Sequence, residues 1–164
     1  MTEINIRRAT PEDLDAVTEI ERICFPEAEA AGRESMKKRL ELFGPSFMVA
    51  ERVSDGKLVG LINGTVSNDA VISDAMYEDI SYDVRADYQM VFGLDVLPEF
   101  RGQGIAQELM NALIKLAWDD GRRGMVLTCK KELIEFYEHF GYVNQGISKS
   151  VHGGVQWYDM VLIF

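Results

Sequence analysis

The stretch Gly93–Ala106, GLDVLPEFRGQGIA, decides the fold of this chain. Its first half continues an apolar run that begins at Met90, and Pro98 ends the run because proline has no N–H to give to a sheet. After the loop, apolar residues recur at the spacing of one helix face from Ile105 to Ala117. The sequence therefore predicts a strand, a glycine-rich loop and a helix in direct succession.

The loop has the features of a phosphate-binding site. Amides at a helix N-terminus lack an intrahelical partner, and the helix dipole there favours negative charge. Gly102 and Gly104 let the backbone approach a phosphate closely, and Arg101 adds a fixed positive charge. The sequence lacks the GxxxxGK motif of nucleoside-triphosphate loops and the glycine spacing of dinucleotide-binding folds. We therefore predict a pyrophosphate cradle.

The pattern LxVxPxxR followed by Gly-x-Gly-x-Ala resembles the acetyl-coenzyme A signature of the GCN5-related N-acetyltransferase (GNAT) superfamily. The resemblance implies an α/β (mixed α+β) fold with a mostly antiparallel, seven-stranded sheet flanked by about four helices. It also implies acetyl-coenzyme A as co-substrate, without a metal. The residues that it assigns to the pyrophosphate and the pantetheine arm are Leu94, Asp95, Val96, Arg101, Gly102, Gln103, Gly104, Ile105 and Ala106.

The rest of the chain supplies the elements of a single domain, residues 1–164. Hydrophobic periodicity, turn residues and prolines predict the order β-α-α-β-β-β-α-β-α-β-β. The predicted strands besides the central one are Ile4–Ile6, 47–53, 58–66, 124–129, 147–151 and 155–164. The predicted helices besides the central one begin at Thr10, Glu34 and Lys131.

Composition limits the partners and the compartment. The net charge of −10 argues against nucleic acid, and no apolar run reaches the ~20 residues of a membrane span. The first residues lack an apolar signal core, and Cys24 and Cys129 show no metal or redox spacing. We therefore expect a cytoplasmic protein. The segment Trp157–Phe164 is apolar enough for an edge shared by two copies.

Residues 67–87 are rich in carboxylates and show no clear period. One interpretation is a solvated connection between structural elements. The other is an acidic rim that attracts ammonium substrates.

A second stretch, Val126–Tyr142, is similar to a strand and helix of the arylalkylamine (serotonin) N-acetyltransferases. That group carries a Cys, an apolar pair and then Phe-Tyr-x-x-Phe-Gly-aromatic, which Cys129 and Phe136–Tyr142 match. Glu19–Phe25 resembles its first helix, and Val155 and Trp157 align with apolar positions of its substrate pocket. The resemblance implies a small amine, arylalkylamine-like or polyamine-like, as acceptor.

Tyr137 is the predicted general acid. Coenzyme A leaves as a thiolate whose pKa resembles that of cysteine, about 8.5, and a phenol of pKa about 10 donates to it at modest cost. The competing interpretation is a tyrosine packed with Phe136 and Phe140 on an amphipathic helix.

The proton acceptor is less clear from the sequence. An alkylamine of pKa about 10.4 is protonated at neutral pH, and removing its proton costs about 4.6 kcal/mol. Met90 and Phe92 stand where the arylalkylamine group has two histidines. His152, Asp95 or a carboxylate-bound water are the alternatives.

Other side chains have both a functional and an ordinary interpretation. Phe25, Phe92 and Trp157 form either an aromatic wall for the amine or part of the core, with His152 and Val155 beside it. Cys129 is either an acetyl carrier or an inert buried thiol.

We therefore predict an N-acetyltransferase in which a primary amine attacks acetyl-coenzyme A directly in a ternary complex. The alternatives are a protein or peptide N-acetyltransferase and a non-catalytic acyl-coenzyme A-binding module.

Overall fold

The computed structural model describes residues 1–164 and contains nine strands, five α-helices and short 3-10 turns. The strands are β1 (Ile4–Arg8), β2 (Phe47–Arg52), β3 (Leu58–Asn63), β4 (Val66–Ser67), β5 (Tyr88–Val91), β6 (Gly93–Val96), β7 (Gly124–Cys129), β8 (Val143–Ile147) and β9 (Tyr158–Ile163). The helices are α1 (Leu14–Cys24), α2 (Arg33–Leu42), α3 (Ala75–Glu78), α4 (Ile105–Asp119) and α5 (Ile134–Glu138). None of the helices has the length and apolar character that a membrane span requires.

The chain divides into two compact units. The first unit comprises Met1–Gly64 and Gly93–Leu116, and the second unit comprises Thr65–Phe92 and Ala117–Phe164. The prediction of one domain stays a prediction.

The first unit holds a four-stranded antiparallel sheet in the order β1-β2-β3-β6. Strands β2 and β3 form a hairpin across Asp55–Gly56, a residue pair that is typical of tight turns. Helix α1 packs on α2 and on strands β3 and β6. Strand β6 is therefore the edge of this sheet, with α1 covering one of its faces.

The start of α1 is fixed by an acid that the sequence places in its first turn. The Asp13 carboxylate accepts the Thr10 N–H at 2.8 Å and forms an ion pair with Arg7 at 2.9 Å. The Arg7 guanidinium holds the pKa of Asp13 below its usual value. The helix ends before Phe25, because that residue precedes Pro26 and takes an extended conformation.

The second unit holds a five-stranded sheet in the order β4-β5-β7-β9-β8. Strands β5 and β7 run parallel, and the other neighbours are antiparallel. A buried cluster of Ile72, Met90, Val126 and Val161 lies at its centre. The mixed, mostly antiparallel α/β fold is confirmed.

The strand count exceeds the predicted seven, because two predicted strands are each divided. The run 58–66 gives β3 and β4, and the run from Met90 to Leu97 gives β6 and part of β5. In both cases the two pieces belong to different sheets. A pattern of apolar residues indicates a strand, but it does not show where the chain passes from one sheet to the other.

The final hairpin also differs from the prediction. Strand β8 begins at Val143, and residues 148–157 form a loop rather than the predicted strand 147–151. Ser148 Oγ accepts the Ser150 N–H at 3.0 Å, and Ser150 Oγ binds the Asp74 carboxylate. These local serine bonds replace a sheet ladder.

The tight pairing of β7 with β9 gives a testable prediction for stability. A β-carbon at Gly124 would lie 2.2 Å from the Leu162 carbonyl oxygen, so Gly124→Ala must push the strands apart. We expect a loss of about 1–3 kcal/mol in the free energy of unfolding, measured by chemical denaturation. Gly32→Ala is the control, because nothing lies within 4 Å of its β-carbon position. Equal losses in the two variants would contradict the prediction.

Candidate functional site

The Arg101 side chain helps to hold the loop between β6 and α4. The Arg101 Nε donates to the Val96 carbonyl oxygen at 2.8 Å, after a 3-10 turn over Pro98–Phe100. Gly102 and Gly104 have φ angles of 75° and 84°, which only glycine adopts readily. Nothing lies within 4 Å of the β-carbon position of either glycine, so this face of the loop is open.

The loop leads directly into the start of α4. The amide of Glu108 donates to the Gly104 carbonyl oxygen at 3.0 Å, so the amides before it in the first helical turn have no intrahelical acceptor. The Gln103 side chain accepts the Thr2 N–H at 2.8 Å, and this bond does not use the backbone amide of Gln103. Open glycines, free amides and a helix N-terminus together fit the diphosphate of acetyl-coenzyme A.

Strand β6 presents an edge beside this loop. It pairs with β3 on one side, with Leu94 opposite Ile62 and Val96 opposite Gly60, and it ends the order of its sheet. An edge strand offers unpaired N–H and C=O groups, which suits the amides of a pantetheine arm. The Asp95 side chain is 1% exposed, so only its backbone is available to the cofactor.

The second unit contains an aromatic cluster of Tyr77, Phe92, His152 and Trp157. The ring of Tyr77 lies 4.8 Å from that of Phe92 and stacks at 5.0 Å on His152. The His152 and Trp157 rings lie 6.2 Å apart, and the Trp157 Nε1–H donates to the His152 carbonyl oxygen at 2.8 Å. Three predicted substrate residues therefore lie together, and the fourth ring was not predicted.

Tyr77 belongs to the acidic segment 67–87, which is more than a solvated connection. Helix α3 carries Tyr77, and the preceding Asp74 accepts the Val151 N–H at 3.1 Å and binds Ser150. These bonds hold α3 against the loop that carries His152. The absence of a clear hydrophobic period in this segment concealed Tyr77 from sequence reasoning.

Tyr137 lies on α5 and is 8% exposed. Its ring makes edge contacts with Phe136 at 5.1 Å and with Tyr142 at 5.9 Å. Burial raises the pKa of Tyr142, so that phenol stays protonated. The position of Tyr137 is thus fixed by packing, and its role as general acid stays a prediction.

A buried polar cluster in the first unit was not anticipated. It consists of Glu21 on α1, Arg39 on α2, Asn63 on β3 and Asp95 on β6, each at most 5% exposed. The Arg39 Nη1 donates to Asn63 Oδ1 at 3.0 Å, and Glu21 Oε2 accepts the Ala31 N–H at 2.9 Å. The sequence singled out only Asp95. Glu21 and Arg39 are like the exposed charges of amphipathic helices, so no local signal marks them.

The model of the acetyltransferase (GNAT) family matches residues 14–142. The chain belongs to the GNAT family. The protein is accordingly an acyltransferase that uses acetyl-coenzyme A, and the alternative of a non-catalytic binding module is set aside.

Solved structures support the GNAT fold over almost the whole chain. The loading GNATL domain of CurA from Lyngbya majuscula superposes with a TM-score of 0.82 at 15% identity, covering 98% of each chain. NAA60 of Arabidopsis thaliana in complex with a bisubstrate analogue gives 0.74 at 20% identity, also over 98% of each chain. The ribosomal-protein-S18-alanine N-acetyltransferase of Escherichia coli gives 0.74 at 17% identity, covering 98% of this chain and 94% of that one. A comparison with curated protein sequences gave no match.

The other two predicted substrate residues of this GNAT protein, Phe25 and Val155, belong to different units. Phe25 follows α1 in the first unit and is half-buried, and Val155 is half-buried in the loop before β9. His139 is exposed, and its Nδ1 lies 2.7 Å from the Glu135 carbonyl oxygen. The chain holds no group of His, Cys, Asp and Glu suited to a metal ion.

Cys129 does not have the properties of an acetyl carrier. Its side chain is 2% exposed, and burial raises the pKa of its thiol to about 12. Only a thiolate attacks a thioester effectively. Direct attack by the amine is therefore the simpler pathway for this GNAT protein.

The open glycine loop predicts a selective defect in cofactor binding. In Gly104→Ala the φ of 84° becomes unfavourable for an L residue by about 1–2 kcal/mol, so the loop should leave its open conformation. We expect the Kd for acetyl-coenzyme A to rise by about tenfold or more, measured by calorimetry. The control is Gly56→Ala in the β2–β3 turn, where φ is 78°. If both variants bind acetyl-coenzyme A like the parent protein, the loop is not the cradle.

Proposed function

We propose that this protein acetylates the primary amine of a small molecule that carries an aromatic or other apolar group. The observation that carries the proposal is the aromatic cluster of Tyr77, Phe92, His152 and Trp157. Aromatic faces of this kind bind both apolar rings and cationic groups.

The acidic segment that carries Tyr77 agrees with a cationic acceptor, and the Trp157 ring already faces one cation, because Lys130 Nζ lies 5.9 Å from its centroid. The segment 67–87 carries exposed carboxylates, including Glu78 and Asp79 directly after Tyr77. The chain as a whole has a net charge of −10. Such a field attracts ammonium ions and raises their association rate.

The similarity of Val126–Tyr142 to arylalkylamine N-acetyltransferases supports the same substrate class. In the proposed reaction, acetyl-coenzyme A supplies an activated acetyl thioester. The amides of Gly102–Ala106 hold the diphosphate, and the edge of β6 orients the pantetheine arm. The amine nitrogen attacks the thioester carbon, and Tyr137 gives its phenol proton to the departing thiolate.

A second candidate function is the acetylation of a protein or peptide amine. Two structural neighbours, NAA60 and the ribosomal-protein-S18-alanine N-acetyltransferase, favour it by their names. The aromatic cluster favours the small-molecule acceptor, since it offers ring faces to an apolar group.

The first test of the proposal compares phenethylamine, butylamine, spermidine and short peptides in an assay for released coenzyme A. We expect phenethylamine to give the largest kcat/KM. Trp157→Leu should lower that value about tenfold and leave butylamine unchanged, because an aromatic contact contributes about 0.5–1.5 kcal/mol. Trp118→Leu is the control, since Trp118 is 62% exposed and packs on Phe164. Turnover of peptides alone would favour the second candidate function.

The role of Tyr137 has its own test. Tyr137→Phe keeps the ring packed against Phe136 and Tyr142 and removes only the hydroxyl. We expect kcat to fall about 100-fold while the Kd for acetyl-coenzyme A stays within twofold. Tyr82→Phe in the acidic segment is a matched control for loss of a hydroxyl group. Unchanged turnover in Tyr137→Phe would refute the assignment.

A further inference from the structure

Unsatisfied polar atoms converge on one point beside Gly93, the first residue of β6. The position of a β-carbon on Gly93 lies 3.3 Å from Asp95 Oδ1, 3.5 Å from Glu21 Oε1 and 3.7 Å from Asn63 Nδ2. No donor from another side chain or amide reaches these three atoms or Asp95 Oδ2, and the carboxyl groups of Asp95 and Glu21 lie within hydrogen-bond reach of each other. Buried polar atoms without partners are rare and occur at functional sites, so this group requires an explanation.

The charges of the cluster do not balance unless a proton is present. Asp95 faces Glu21 and Cys24 on α1, Arg39 on α2 and the neutral Asn63 on β3. Within the cluster, Arg39 is the cation and Glu21 and Asp95 are the carboxyl groups. Burial and the neighbouring Glu21 raise the pKa of Asp95 well above its usual value. A proton on Asp95 leaves the Glu21 carboxylate facing the Arg39 guanidinium, so the buried cluster is neutral.

We propose that the Glu21–Asp95 pair is the site that binds the ammonium group of the acceptor and takes its proton. This inference rests on the proposed function, since it requires an amine acceptor. Both carboxyl groups accept hydrogen bonds from an ammonium ion, which supplies the donors that Glu21 Oε1 and Asp95 lack.

Every proton that moves in the reaction cycle has a donor and an acceptor among water, the carboxyl pair, Tyr137 and the substrates, so no further reactant is needed. An ammonium ion that enters the pair displaces the proton of Asp95 to water, and the cluster stays neutral because Arg39 and the ammonium face two carboxylates. The ammonium then gives one proton back to the pair and becomes a neutral amine. The amine nitrogen forms the bond to the acetyl carbon as the carbon–sulfur bond breaks, and its second proton replaces the one that Tyr137 gives to the thiolate.

The position of the pair suits this role. Asp95 lies on β6 between Leu94 and Val96, whose edge is proposed to hold the pantetheine arm. Its side chain points to the face that α1 covers, as does the missing side chain of Gly93. The absence of a β-carbon at Gly93 brings the carboxyl groups against the backbone of β6.

The segment between α1 and α2 controls access to the pair. The atoms of the pair are shielded from water, and the Ala31 N–H is bonded to Glu21 Oε2 at 2.9 Å. Pro26, Glu27 and Gly32 in this segment are exposed. Opening of the Ala31–Glu21 bond frees a further carboxylate oxygen for the ammonium group.

The test uses two substrates that differ in basicity. Phenethylamine is protonated at neutral pH, whereas the fluorines of β,β-difluorophenethylamine lower the pKa of its ammonium group toward neutrality. We expect Asp95→Asn and Glu21→Gln to lower kcat/KM for phenethylamine about 100-fold at pH 7 and to spare the difluoro amine. The loss for phenethylamine should shrink as the pH approaches the pKa of that amine. The Kd for acetyl-coenzyme A should stay within twofold.

The control variant is Asp13→Asn, which removes a largely buried carboxylate that is paired with Arg7. It should lower the melting temperature and leave the ratio of the two kcat/KM values, for phenethylamine and for the difluoro amine, unchanged. An equal loss for both amines in Asp95→Asn would show a merely structural role and overturn the inference.

A measurement on the unaltered protein covers the case in which the variants do not fold or no amine is acetylated. In carboxyl ¹³C NMR at pH 7, saturating phenethylamine in the presence of coenzyme A should move the Asp95 signal to its ionised position. An unmoved signal overturns the inference. A moved signal without acetylation of any amine by the parent protein refutes the proposed function and leaves the cation site standing.

Discussion

The proposed site depends on hydrogen bonds from backbone amides of the β6–α4 loop to an anion. These amides have no intrahelical acceptor. The bond from Arg101 to the Val96 carbonyl fixes the loop between β6 and α4. Gly102 and Gly104 allow the turn, because their positive φ angles are unfavourable for other residues. The sheet and α1 of the first unit therefore serve to hold a short piece of backbone in place, and the cofactor supplies its own reactive thioester.

The proposed specificity for the acceptor depends on a different kind of contact. The aromatic cluster combines rings from the β5–β6 junction, α3 and the loop before β9, so no single segment contains the cluster. Asp74 joins two of these segments through Ser150 and the Val151 amide. A change of substrate class among such proteins thus needs only changes in these loops, while the cradle stays the same.

Charge neutrality links the buried cluster to the chemistry. Two carboxyl groups and one guanidinium are stable inside a protein only when a further positive charge is present. In the proposal above, a proton supplies this charge in the resting protein and the ammonium group of the acceptor supplies it in the complex. Exchange between the two is a physical reason for keeping an otherwise costly group of polar atoms beside the proposed acetyl site.

The sequence by itself determined the glycine loop between strand and helix, the order of the main elements and the family, while the loop's role as a phosphate cradle stays a prediction. These depend on local signals: the glycines and Arg101 of one loop, the prolines at strand and helix ends, and the period of apolar residues in α1 and α4. It also named Phe92, His152 and Trp157, which the structure brings together. Tertiary structure alone decided the division of two predicted strands between sheets, the place of Tyr77, and the meeting of Glu21 with Asp95. Residues far apart in the chain create these features, and an exposed glutamate and a buried one look the same in a helical pattern, because only packing decides which is desolvated.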